Sequence, residues 1–174
     1  MAFNKKLILS FILLILTACA SSTKNIKKNQ KLESNQGIVV TKINSNWTGY
    51  NNPLATDLEF LFTHEESNKK SSKFVLSKEN DLKVVALAAG NYQWLRIRFG
   101  NYYMDLEGGF TIEPGQITYI GDIYSHLDLN LFSMSGTSRV TNESEQIMND
   151  LKDNYPMLLE RHIFTTNLST LKQM

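Results

Sequence analysis

The 174-residue chain has little with which to brace itself covalently. It holds one cysteine, so no intrachain disulfide can form and cysteine-pair metal sites are excluded. It has three histidines, His64, His126 and His162, and none has another histidine at metal-ligand spacing. Only three prolines interrupt it. It carries no basic excess: 18 Lys and Arg stand against 17 Asp and Glu. Nucleic acid, which demands a concentrated positive surface, is therefore not an expected partner. What remains is ordinary globular composition, 42% hydrophobic and 10% aromatic, enough for one domain with a real core.

The longest apolar run is short. Leu7 to Leu16, interrupted only by Ser10, follows Asn4-Lys5-Lys6. As a helix it reaches about 15 Å, half of a bilayer core of about 30 Å. That length suits the core of a signal peptide better than a membrane span. Leu16-Thr17-Ala18-Cys19 then resembles the lipobox of bacterial lipoproteins, in which a thiol accepts diacylglycerol and small residues before it admit the peptidase. The resemblance implies cleavage before Cys19, lipid on that residue and stable anchoring, since more than one buried acyl chain is needed to hold a protein on a membrane. Ala20, where an Asp would favour inner-membrane retention, implies the outer membrane, with the domain on its periplasmic face. Residues 1–18 are thus expected to be a signal peptide.

Residues 19–36 read as the lipidated cysteine and a disordered tether. Ser21 to Gln36 has two isolated aliphatic residues, no aromatics and no period. Lys24, Lys27, Lys28 and Lys31 make it basic. They either draw it to anionic headgroups or merely keep a spacer solvated.

From Gly37 the pattern changes to period two. Ile38–Ile43, Asp57–Phe62, Phe74–Leu76, Leu82–Leu87, Tyr92–Phe99, Tyr102–Leu106, Phe110–Ile112, Gln116–Ile123 and Leu127–Leu131 read as strands. Turn chemistry separates them at Asn52-Pro53, Glu79-Asn80-Asp81, Ala89-Gly90-Asn91, Gly100-Asn101, Gly108-Gly109 and Glu113-Pro114-Gly115. About seven to nine short strands at this spacing predict a mainly β chain, a β-sandwich over residues 37–140. One strand conflicts with itself: Tyr92 and Trp94 share a face with Arg96 and Arg98, while Leu95, Ile97 and Phe99 share the other. A bulge could re-phase it, or each face could be buried at one end. Residues 141–174 read as a short helical tail packed on the sandwich. Asn142-Glu143-Ser144-Glu145 offers a cap, Ile147, Leu151 and Tyr155 recur at helical spacing, and Pro156 starts a further turn. Thr165 to Met174 is expected to fray.

Two motifs resemble known folds. Ala88-Ala89-Gly90-Asn91-Tyr92-Gln93-Trp94-Leu95 is similar to the strand start of transthyretin-like and immunoglobulin-like domains. Phe110 to Asp122, with Glu113-Pro114-Gly115 at its turn, resembles a hairpin of poorly characterised Gram-negative lipoproteins. The resemblance implies an immunoglobulin-like or transthyretin-like sandwich and no shared reaction.

Chemistry is sparse. Ser133-Met134-Ser135-Gly136 is not a serine elbow, Gly108-Gly109 is not a phosphate loop, and His64-Glu65-Glu66 lacks a third ligand. No catalytic residue, metal or cofactor is expected. Arg96, Arg98, Tyr102 and Tyr103 form the one candidate interaction surface, of residue types that anchor interfaces. Alternatively their rings close the core and the arginines pair with acids. The expectation is a membrane-held, non-catalytic binding or assembly module with an envelope protein or polymer as partner. A glycan-binding module, or an envelope hydrolase with a site built from distant residues, is the alternative.

Overall fold

The computed structural model describes residues 21–49, 57–66, 71–76 and 80–174. The expected signal peptide, Cys19 and the Asn52-Pro53 turn lie outside the described residues. The chain is a mainly β sandwich with a short C-terminal helical layer. In chain order the elements are β1 (Ser21–Ser22), β2 (Gln36–Gly49), β3 (Leu58–His64), β4 (Ser71–Leu76), β5 (Asn80–Ala88), β6 (Gly90–Phe99) and β7 (Tyr102–Glu107). Then come β8 (Gly109–Ile112), β9 (Ile117–Tyr119), β10 (Asp122–Leu129), β11 (Met134–Thr141), α1 (Ser144–Asn154), α2 (Pro156–Arg161), β12 (Phe164–Thr166) and β13 (Lys172–Gln173).

One sheet runs β1-β4-β3-β6-β7-β13, with β8 also on β6; the other runs β11-β10-β2-β9-β12, with β5 also on β2. β2 is the spine of the second sheet. One of its edges takes β5 antiparallel from Gln36 to Asn44, and the other takes β9 and then β10 in parallel. Its residues alternate between two cores because the side-chain period is two. Val39 and Ile43 point into the sandwich beside Phe60, Phe62, Phe74, Trp94 and Ile97. Ile38 and Val40 point the other way, with Val84, Ile117 and Tyr119, and are covered by Ile147, Leu151 and Leu158 of the helices.

Two bulges set which residues are buried. Leu61 lies opposite Arg96 but Phe62 lies opposite Trp94, so Leu95 is the extra residue. The bulge re-phases β6, and Tyr92, Trp94, Ile97 and Phe99 all enter the core. The stretch predicted as one strand over Gln116–Ile123 is broken likewise. Val40 pairs with Tyr119 and Ile43 with Ile123, so one residue is extra on the β9–β10 side. Gly121 absorbs it at φ +95°, and Thr41 Oγ1 donates to its carbonyl at 2.7 Å. Ile117 and Tyr119 therefore face the helices, while Ile120 and Ile123 face the sandwich. The Glu113-Pro114-Gly115 turn, expected to close a hairpin, instead carries the chain from β8 in one sheet to β9 in the other.

Further expectations are corrected. The tether over 21–36 is not free of the domain. Ser21 and Ser22 pair with Ser72 and Lys73, Thr23 N–H donates to Lys73 O, and Ile26 N–H donates to Val84 O. Asn25 bonds both the carbonyl of Leu82 and the amide of Val84. Ile26 is 4% exposed and Leu32 packs nearby, so the two isolated aliphatic residues hold the segment down. It bridges the edge strand of one sheet (β4) to the edge strand of the other (β5). The C-terminal end does not fray either. β12 lies parallel to β9, β13 pairs with β7, and buried Ser169 accepts the Trp94 indole N–H at 2.7 Å. β11 was not foreseen, because Ser-Gly-Thr-Ser in its middle supplies little hydrophobic alternation.

Candidate functional site

The helices cover only part of the second sheet. Beyond them its outward residues turn from apolar to polar along the same strands. Asn44, Asn46 and Thr48 of β2 lie beside Tyr124, His126 and Asp128 of β10. These lie in turn beside Arg139, Thr137 and Ser135 of β11. The rows form a shelf, and the residues around Tyr124 and His126 line a shallow groove of about 520 Å³.

Hydrogen bonds run across the strands and hold these side chains in place. His126 Nδ1 meets Asn46 Oδ1 at 2.7 Å, and its Nε2 faces Asp128 Oδ1 at 3.6 Å. Thr48 Oγ1 donates to the same carboxylate oxygen at 2.6 Å. The Arg139 guanidinium sits 5.4 Å from the centre of the Tyr124 ring. Asn44 Nδ2 is buried without a partner. At the far end, the turn between β10 and β11 presents Leu131 and Phe132, the latter 95% exposed.

A histidine beside a carboxylate invites a hydrolytic reading. Here His126 commits Nδ1 to Asn46, while its Nε2 lies 3.6 Å from Asp128, beyond hydrogen-bond distance. The adjacent serines, Ser125 and Ser138, bond each other at 2.8 Å, and Ser125 is buried on the inward face. General-base catalysis needs a nucleophile within hydrogen-bond reach of the base, and no hydroxyl bonds His126 among the described residues. Among those residues no three His, Cys, Asp or Glu side chains could hold a metal ion. No helix of the described residues is long and apolar enough to cross a membrane.

The other histidines are tied to the backbone. His64 Nδ1 accepts Glu66 N–H at 3.2 Å, so its Nε2 is the donor to Ala89 O at 3.0 Å. The ring fills the space a Cβ on Gly90 would need, where the backbone takes φ +135°. His162 Nδ1 lies 2.9 Å from Gly115 O.

The sequence-predicted surface is split by strand alternation. Arg96, Arg98 and Tyr103 lie on the outer face of the first sheet, whereas Tyr102 turns toward the core and donates to Leu131 O at 3.0 Å. The arginines are engaged. Arg96 pairs with Asp105 at 3.0 Å and covers the Tyr103 ring at 4.6 Å. Arg98 and Lys73 both pair with Glu59, Arg98 Nε at 2.6 Å and Lys73 Nζ at 2.5 Å. Trp94 is buried, so its ring is not open to stack on a ligand.

Sequence reasoning missed the shelf because it joins β2 to a β10–β11 hairpin 80 residues further along the chain. The signal available was the polar alternation of Asn44, Asn46 and Thr48 with that of His126 and Asp128.

Compared with known proteins, the chain matches no family model, no curated sequence and no solved structure.

Proposed function

We propose that this chain is a lipid-anchored, non-catalytic module that binds a protein partner at the periplasmic face of the outer membrane. The anchor reading rests on Leu16-Thr17-Ala18-Cys19. The binding reading rests on one observation: a hydrogen-bonded polar shelf on β2, β10 and β11 that ends in an exposed Phe132. Polar groups fixed by cross-strand bonds give orientation, and an exposed aromatic beside them is the kind of anchor that carries interface energy. A glycan site is the weaker reading. Sugar rings stack on open aromatic faces, and the rings of Tyr124 and Tyr103 each already carry a guanidinium.

The test is photocrosslinking in intact cells from a benzoylphenylalanine placed at His126 or Phe132. Adducts of discrete protein mass are expected from both positions and not from Lys152 on α1. The Arg96 and Tyr103 positions serve as the competing surface. Adducts from that face alone would move the site there, and glycan adducts from His126 would replace the protein partner by a polymer.

A further inference from the structure

The ordered N-terminal segment changes where the domain must sit, given the anchor proposed above. A free coil over 21–36 would hold the sandwich about 20–25 Å from its lipid. Instead the first described residue, Ser21, is already hydrogen-bonded as a strand on β4. Only two residue steps separate it from Cys19, which is at most about 7 Å of chain. The edge at which β4 and β5 are bridged therefore lies against the headgroups.

That edge is basic. Lys24, Lys27, Lys28 and Lys31 are all exposed, and Glu33 is the one acid between Ser21 and Gln36. The backbone beneath them is fixed, by Asn25 and Ile26 on β5 and by the Lys27–Gln30 turn, where Gln30 N–H donates to Lys27 O at 2.9 Å. The lysines thus need little ordering on contact, and the cost of immobilising a flexible tether falls away. Lys24 begins five residues from the anchor, and near the bilayer a lysine within a Debye length of about 8 Å feels the anionic surface. Of the neighbouring cations, Lys83 is paired with Asp81, and Lys73 shares Glu59 with Arg98.

We propose that residues 21–36 are a membrane-contact pad, with Lys24, Lys27, Lys28 and Lys31 seated on anionic phospholipid, and that the pad fixes the sandwich in one orientation on the bilayer. The proposal depends on lipid at Cys19, and the experiment separates the two. Lipidated full-chain protein is reconstituted into vesicles of phosphatidylcholine with phosphatidylglycerol, into phosphatidylcholine alone, and into detergent. Each is treated with an impermeant amine-reactive reagent, and modification is read by mass spectrometry against the exposed Lys152 and Lys172.

In the anionic vesicles the four lysines should lose reactivity relative to these references by about five-fold each, the partition change expected of one lysine at an anionic surface. In neutral vesicles and detergent they should stay reactive. If Cys19 carries lipid and the four lysines react equally in all three settings, the pad is overturned and the anchor stands. If they are equally protected in all three, protein rather than lipid covers them and the pad is again overturned. If Cys19 carries no lipid, the anchor reading fails and takes the pad with it.

Discussion

Asp122 is 3% exposed, and its carboxylate accepts the Tyr119 hydroxyl at 2.7 Å. The same hydroxyl accepts Glu143 N–H at 3.0 Å, so one phenol ties the β9–β10 bulge to the start of α1. Burial pushes the Asp122 carboxyl above its ordinary value, and the Tyr119 bond and the nearby Lys42 charge only partly oppose it. A carboxyl raised in the folded state favours folding while it is protonated, and that contribution is lost as pH rises through the folded value. Asp122→Asn cannot ionise and should remove this component. Urea midpoints followed from about pH 4 upward should show the variant's stability falling less with pH than the parent's. Parallel curves would show that Asp122 carries no such strain. The histidines separate in the same way. His64→Gln loses a ring that bonds Ala89 O and packs edge-on to Tyr92, 4.9 Å between centroids, and should cost about 1–3 kcal/mol in a denaturant melt. His126→Gln, exposed on the shelf, should stay within about 0.5 kcal/mol and act on partner binding instead. Equal losses in the two melts would contradict these placements.

At the scale of elements, legibility in the sequence followed hydrophobic alternation. β3, β5, β7 and α1 carry regular periods and were readable, and β6 was readable in extent although the bulge at Leu95 breaks its period. β11 is nearly all small and polar, β12 and β13 are two or three residues long, and none has a pattern to find. The shelf was illegible for a related reason: its rows exist only in the pairing register of β2 with β10. The segment over 21–36 shows how few residues can decide a case. Its composition is that of a spacer, yet Ile26 fills a site in the core under the helices and Asn25 satisfies both a donor and an acceptor of β5. The amides of Thr23 and Ile26, bonded to Lys73 and Val84, should therefore exchange hydrogen far more slowly than unstructured peptide. Ile26→Ala should cost about 2–5 kcal/mol and speed both amides together. Exchange at the peptide rate in the parent would return this stretch to a free tether.

For the molecule as a whole, the sandwich and its helical layer are not separable parts. β2 supplies side chains to both cores in alternation, so neither can be lost without stripping one face of the spine. The two open sides are also closed: β4 and β5 are bridged by residues 21–26, and β11 contacts β7 and β13 across the other side. A boundary near residue 140 is thus a change of secondary structure and does not mark where a stable unit stops. Cutting the chain after Thr141 would uncover Ile38, Val40, Val84, Ile117 and Tyr119, all fully buried, and leave the Trp94 indole N–H without Ser169. At about 1.5–3 kcal/mol for each large apolar side chain returned to water, the loss is comparable to or larger than the about 5–15 kcal/mol that holds a typical domain together. The truncated chain should show no cooperative melt and should bind hydrophobic dye. The full chain should lose its helices and its sheet in one transition at the same midpoint by far-UV and near-UV circular dichroism. Two separated transitions in the full chain, or a cooperative melt of the truncated one, would make the sandwich an independent domain with the helices as an accessory to it.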